Sequence, residues 1–159
     1  MCLVSSFTMD LPMGNKVQSS SAAEPIGAGS QQSRGKVLIA EDNAINQRVV
    51  AIILSKLGYS ADVATEGTVV LEMLQKQHYD LVLMDCQMPG MDGFEATKAI
   101  RALPSHISQI PIIAVTANAL PGQREKCLAI GMNDYISKPI QAGLLASTLR
   151  KYLQLPAEN

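Results

Sequence analysis

From Lys36 onward the sequence switches repeatedly between two hydrophobic periods, and few folds accommodate that. KVLIA (36–40), DLVLMD (80–85) and PIIAVTA (111–117) are short, nearly unbroken apolar runs, the pattern of strands buried on both faces. SADVA (60–64) and NDYIS (133–137) are shorter runs of the same kind. Between them the period lengthens to that of a helix. In EDNAINQRVVAIILSKLGY (41–59), Ile45, Val49, Ile52 and Ile53 recur at helical spacing, as do Val50 and Leu54, and Leu57-Gly58 supplies a stop. TEGTVVLEMLQKQ (65–77) sets Val70, Leu71 and Leu74 on one face. GFEATKAIRAL (93–103) follows Asp92, a residue suited to cap a helix. Residues 120–130 read as a helix closed by Gly131, and 140–153 as the last one. Strand then helix, repeated to the end of the pattern, predicts an α/β fold with a parallel sheet covered on both faces.

The composition fits such a core. Apolar residues make up 47% of the 159, aromatics only 4%, and tryptophan is absent, so the interior must be aliphatic. Thirteen basic residues nearly cancel fourteen acidic ones. No basic cluster tracks a phosphate backbone, so nucleic acid is not an expected partner. Cys2, Cys86 and Cys127 show neither a CxxC pair nor metal-ligand spacing, which suits a reducing compartment. MCLVSSFTMD lacks the basic and apolar regions of a secretory leader, and no segment reaches the ~20 apolar residues of a spanning helix. No membrane contact by the chain itself is expected. Residues 1–35 are rich in Ser, Gly, Gln, Ala and Pro, the composition of a disordered tail or linker, leaving a domain over 36–155 and a short tail over 156–159.

In an open parallel sheet, chemistry gathers at the carboxyl ends of the strands. Glu41 and Asp42 follow the first strand, Asp85 ends the third, Thr116 closes the fourth, and Lys138 sits just past the fifth. Each has an ordinary explanation alone: a helix start, a strand-end hydrogen bonder, a solvated charge. Their joint arrival at one rim does not. Three converging carboxylates need a proton or a cation between them, and all-oxygen ligands suit Mg²⁺. A lysine beside them offers a point charge to a phosphate oxygen. Asp85, delivered by the apolar run of LVLMDCQMPGMDG (81–93), is then a carboxylate nucleophile able to form an acyl phosphate.

VLIAEDN (37–43), LVLMDCQMPGMDGFEA (81–96), PIIAVTA (111–117) and DYISKPI (134–140) together resemble the response-regulator receiver domain of two-component signalling, over about residues 36–153. The resemblance implies a flavodoxin-like (βα)5 fold with strand order 2-1-3-4-5. It implies Asp85 as phosphoacceptor. Glu41, Asp42, Asp85 and the backbone carbonyl of Gln87 would hold Mg²⁺ or Mn²⁺. Thr116 and Lys138 would contact the phosphoryl group, with Ala117 small enough to admit it, and Tyr135 would be an aromatic switch. A cis peptide is implied at Lys138-Pro139. Gln87 and Asn118 flank the acceptor and would tune water access. CQMPGMDGFEAT and TANALPGQREKCLAIGMNDYISKPI look most like receivers attached to hybrid sensor histidine kinases.

The implied partner is a histidine kinase or a histidine phosphotransfer domain. A homodimer could use the face spanning Leu120 to Leu153, which is also the implied output surface. The chain would be a phosphoacceptor rather than an enzyme in its own right, cytoplasmic or the cytoplasmic part of a membrane-bound sensor kinase. A stand-alone response regulator and a receiver-like interaction module that is never phosphorylated are the alternatives. A dehalogenase-like phosphatase wants a second Asp where Gln87 stands, and a dinucleotide or P-loop binder wants glycine motifs that are absent. His78 and His106 are expected at the surface.

Overall fold

The computed structural model describes residues 33–117 and 120–153. The expected tails over 1–35 and 156–159 fall almost wholly outside them. Only residues 33–35 of the first are described, and there the Arg34 N–H donates to the Gly58 carbonyl (2.8 Å).

Five strands alternate with five helices: β1 (Lys36–Ala40), α1 (Ala44–Leu57), β2 (Ser60–Ala64), α2 (Gly67–Lys76), β3 (Leu81–Asp85), α3 (Gly93–Arg101), β4 (Ile112–Thr116), α4 (Gln123–Ile130), β5 (Asp134–Ser137) and α5 (Ala142–Leu153). The sheet order is β2-β1-β3-β4-β5, and every pairing is parallel. This is the expected order and fold class.

Alternation along each strand splits the core in two. Leu38, Val82, Met84, Ile112 and Ala114 pack with Val70 and Leu74 of α2, Ala96 and Ile100 of α3, and Cys127 of α4. Val37, Ile39, Leu81, Leu83, Ile113 and Val115 pack with Val50 and Leu54 of α1 and Leu145 and Leu149 of α5. Cys86 and Cys127 are buried in the first cluster. Burial first, then Cys127 beside it, pushes the Cys86 thiol up to about 12, so at neutral pH it packs as a small apolar group.

The largest differences from the sequence pattern are two later helix starts and one added turn. α1 begins at Ala44 because Asn43 is its N-cap, its side chain accepting from the N–H groups of Ile45 and Asn46. α4 begins at Gln123, not at residue 120. Pro121 disfavours a helical Leu120, and Gly122 precedes the helix at φ 90, a conformation open to glycine. A 3-10 turn, His106–Gln109, lies where the pattern showed only loop, with the Ser105 hydroxyl accepting from Ile107. The two apolar rows of α1 also part company. Val50 and Leu54 are buried, whereas Ile45, Val49 and Ile52 are 73%, 44% and 49% exposed.

Arg101, at the end of α3, ties the lower half of the domain together. Its Nε donates to the Gly131 carbonyl (2.8 Å), one terminal nitrogen to the carbonyls of Ser108 (2.7 Å) and Ile110 (2.8 Å), and the other to Asn133 Oδ1 (2.9 Å). Asn133 Oδ1 also accepts the N–H of Ile112, which starts β4. Among the described residues no helix is long and apolar enough to cross a membrane.

Candidate functional site

Strand register sets the site. Asp85 lies opposite Val115, and Thr116 opposite Ser137, so β3, β4 and β5 end level with one another. The chain holds the alignment one residue further: the Cys86 N–H donates to the Val115 carbonyl (3.0 Å), Lys138 to Thr116 (2.8 Å), and Glu41 to Ala64 (3.0 Å). Beyond β3 the loop turns back so tightly that a Cβ on Gly93 would run into the Asp85 carbonyl, which restricts this position to glycine.

A cleft of about 740 Å³ opens above these ends, lined by Glu41, Asp42, Asp85, Gln87, Ala117 and Lys138 among others. Carboxylate oxygens of Glu41, Asp42 and Asp85 lie within 4.8 Å of one another. Lys138 Nζ is 3.1 Å from both Glu41 Oε1 and Asp85 Oδ2. The Asp85 side chain is only 5% exposed. Burial holds its carboxyl above the ordinary range, and the neighbouring Glu41 adds to this, while the Gln87 N–H (3.0 Å) and Lys138 pull the other way. Burial also works against the charge on Lys138, but its bonds to Glu41 and Asp85 prevail and its pKa is raised. Such a group is short of positive charge. Three carboxylates at this separation can hold one hard divalent cation, and the donors are all oxygen, as Mg²⁺ prefers.

Thr116 is buried, 4% exposed, at the end of β4. Tyr135 is half-buried and packs against the first core cluster rather than lining the cleft. The Lys138-Pro139 peptide is cis. Asn118 lies outside the described residues. His78 and His106 are exposed, with ring centroids 6.5 Å apart, beside a separate hollow where β3 and β4 begin.

Three residues that sequence reading passed over hold Glu41. Asn46 Nδ2 donates to Glu41 Oε2 (3.0 Å), the Asn43 N–H to the same oxygen (3.3 Å), and Gln47 Nε2 to the Glu41 carbonyl (2.7 Å). The available signal was a run of amides in the first turn after an acidic pair. Asp92, Phe94 and Lys126 also line the cleft and were not foreseen there.

The profile of the response regulator receiver domain matches residues 37–150. Hybrid signal transduction histidine kinase B of Dictyostelium discoideum is 44% identical over 129 residues, covering 74% of this chain and 7% of the relative. The chain thus spans a small fraction of the length of that curated relative. The receiver domain of sensor histidine kinase PA1611 from Pseudomonas aeruginosa PAO1, solved with a magnesium ion coordinated in the active site cleft, has a TM-score of 0.70 at 42% identity and covers 76% of this chain and 98% of its own. A chain in the co-crystal structure of the Saccharomyces cerevisiae histidine phosphotransfer signaling protein Ypd1 with the receiver domain of Ssk1 has a TM-score of 0.68 at 29% identity, covering 77% and 92%.

Proposed function

The chain belongs to the response regulator receiver family, and from that premise we propose that Asp85 accepts a phosphoryl group from a phosphohistidine. The observation that carries this reading is the convergence of Glu41, Asp42 and Asp85 with Lys138 Nζ 3.1 Å from two of them. Glu41, Asp42, Asp85 and the Gln87 carbonyl would hold Mg²⁺, which supplies charge neutralisation for the transferring oxygens. An Asp85 oxygen attacks phosphorus in line, the donor's N–P bond breaks, and the imidazole leaves with its electron pair. Lys138 and Thr116 then contact the phosphoryl oxygens, and that differential affinity shifts the conformational population, with Tyr135 as the aromatic element that follows. The domain occupies 36–155. The hybrid histidine kinases among its relatives support a place in a hybrid sensor histidine kinase, on the cytoplasmic side, as one stage of a phosphorelay.

Two tests bear on this. Lys138→Met removes the cation from two buried carboxylates. Its rate of Mg²⁺-dependent labelling by a small acyl phosphate is expected to fall about a hundredfold, while Mg²⁺ binds more tightly for want of a positive neighbour. An unchanged rate removes Lys138 from phosphoryl contact.

The second concerns the donor's seat. The exposed row Ile45, Val49 and Ile52 runs down α1 from the rim, and a groove lined by Glu41, Asn46, Val49, Lys138, Pro139 and Ile140 joins it to the cleft. A phosphohistidine-bearing helix must seat beside Asp85 to react, and this apolar row is its nearest support. Ile52→Asp is expected to slow transfer from a histidine phosphotransfer protein about tenfold and leave acyl-phosphate labelling unchanged. Equal loss with both donors points instead to damage at the site.

A further inference from the structure

Lys138 is not the cleft's only ammonium group. Lys126, on α4, lines the same space as Asp85, yet its Nζ lies over the Phe94 ring, 4.6 Å from the centroid. Among the described residues it makes no ion pair. Phe94 is a firm support. It stands in the first turn of α3, next to the glycine pressed against the Asp85 carbonyl, and it packs on the first core cluster.

The charge of the cleft gives this cation a task. Its lining carries four carboxylates, Glu41, Asp42, Asp85 and Asp92, against two ammonium groups, Lys126 and Lys138. One divalent cation balances that set. Phosphorylation then replaces the single charge of Asp85 with a phosphoryl group of about −2, and the balance turns negative again. An exposed cation–π contact is a weak hold, whereas an ammonium–phosphate hydrogen bond is among the strong ones.

We propose that Lys126 is a second phosphoryl-binding cation, resting on Phe94 while Asp85 is free and drawn to the phosphoryl oxygens once Asp85 carries them. The idea rests on the phosphoacceptor reading above and adds a direct link from the acceptor to α4. Cys127, the next residue, is fully buried in the core, so a pull on Lys126 acts on a helix seated in the interior.

Beryllofluoride with Mg²⁺, a phosphoryl mimic that binds a carboxylate, separates the possibilities by titration. Lys126→Met is expected to bind beryllofluoride about tenfold more weakly, with Mg²⁺ affinity no weaker than in the wild type. Lys126→Arg keeps the charge and should recover most of the loss. Phe94→Leu removes the resting place and should bind beryllofluoride at least as tightly as the wild type. Wild-type affinity in Lys126→Met overturns the proposal, as does a parallel loss of Mg²⁺ and beryllofluoride binding. A weaker complex in Phe94→Leu overturns the resting role of the ring. If the wild type binds no beryllofluoride, or Asp85→Asn binds it equally well, the phosphoacceptor reading itself is wrong.

Discussion

Replacing Asp85 by asparagine is expected to abolish Mg²⁺-dependent phosphate incorporation, a fall of at least about a thousandfold in labelling from an acyl-phosphate or phosphohistidine donor. The amide keeps the shape but is a poor nucleophile, and it withdraws one of the three charges facing the cation. Labelling that persists at the wild-type rate would place the acceptor elsewhere.

The same substitution should have opposite effects on stability in two buffers. Without metal, the Asp85 carboxylate is buried beside Glu41 and is held in an unfavourable state, as the upward shift of its carboxyl indicates. Asn removes that like-charge pair, so the variant should melt no lower than the wild type in chelator. With Mg²⁺ in excess, the wild type gains the free energy of a bound ligand and the variant forgoes part of it, so the order reverses. Melting curves in chelator and in Mg²⁺ test this directly. Curves that keep the same order in both would mean that Asp85 is not a metal ligand.

The largest loss of stability is expected from Arg101→Met. The guanidinium makes four hydrogen bonds, three of them to backbone carbonyls of Gly131, Ser108 and Ile110. Bonds of this charged type contribute roughly 1.5–3 kcal/mol each, not additively, and methionine fills the space without a donor. A loss of about 3 kcal/mol is expected in denaturant titration. Arg101 is remote from the cleft lining, so the folded variant should still label at Asp85. A loss under about 0.5 kcal/mol would show that water replaces the guanidinium at little cost.

Much of this fold is legible in the sequence. Buried parallel strands write themselves as unbroken apolar runs, and the rule that chemistry collects at strand ends brought Glu41, Asp42, Asp85 and Lys138 together across nearly a hundred positions. What escaped has physical causes. Periodicity reveals two apolar rows on α1 but not which one the sheet covers, so Ile45, Val49 and Ile52 could not be distinguished from Val50 and Leu54. Amides such as Asn46 and Gln47 are common on helix surfaces, and only the backbone path of residues 41–47 turns them onto Glu41. Arg101 reaches groups 7 to 32 positions away, none of which carries a pattern in sequence. Phe94 and Lys126 come together only because α3 and α4 pack side by side.

The anchoring of α4 is uneven, and that gives the helix a mechanical character. Its far end is moored through the Gly131 carbonyl to Arg101, while its near end starts at Gly122 without a side-chain cap. Eight residues separate the two, a rod of about 12 Å. Cys127, midway along it, is also held in the core, so the uncapped first turn is the least held part and the rod is a lever pivoting toward Arg101. A tilt of about 10° carries the tip of such a rod through roughly 2 Å, the scale of interface helix shifts in switching proteins. A displacement of that tip therefore works against the packing of Cys127 and the Arg101 bonds in the far half of the helix, and becomes a change of angle on the outer surface.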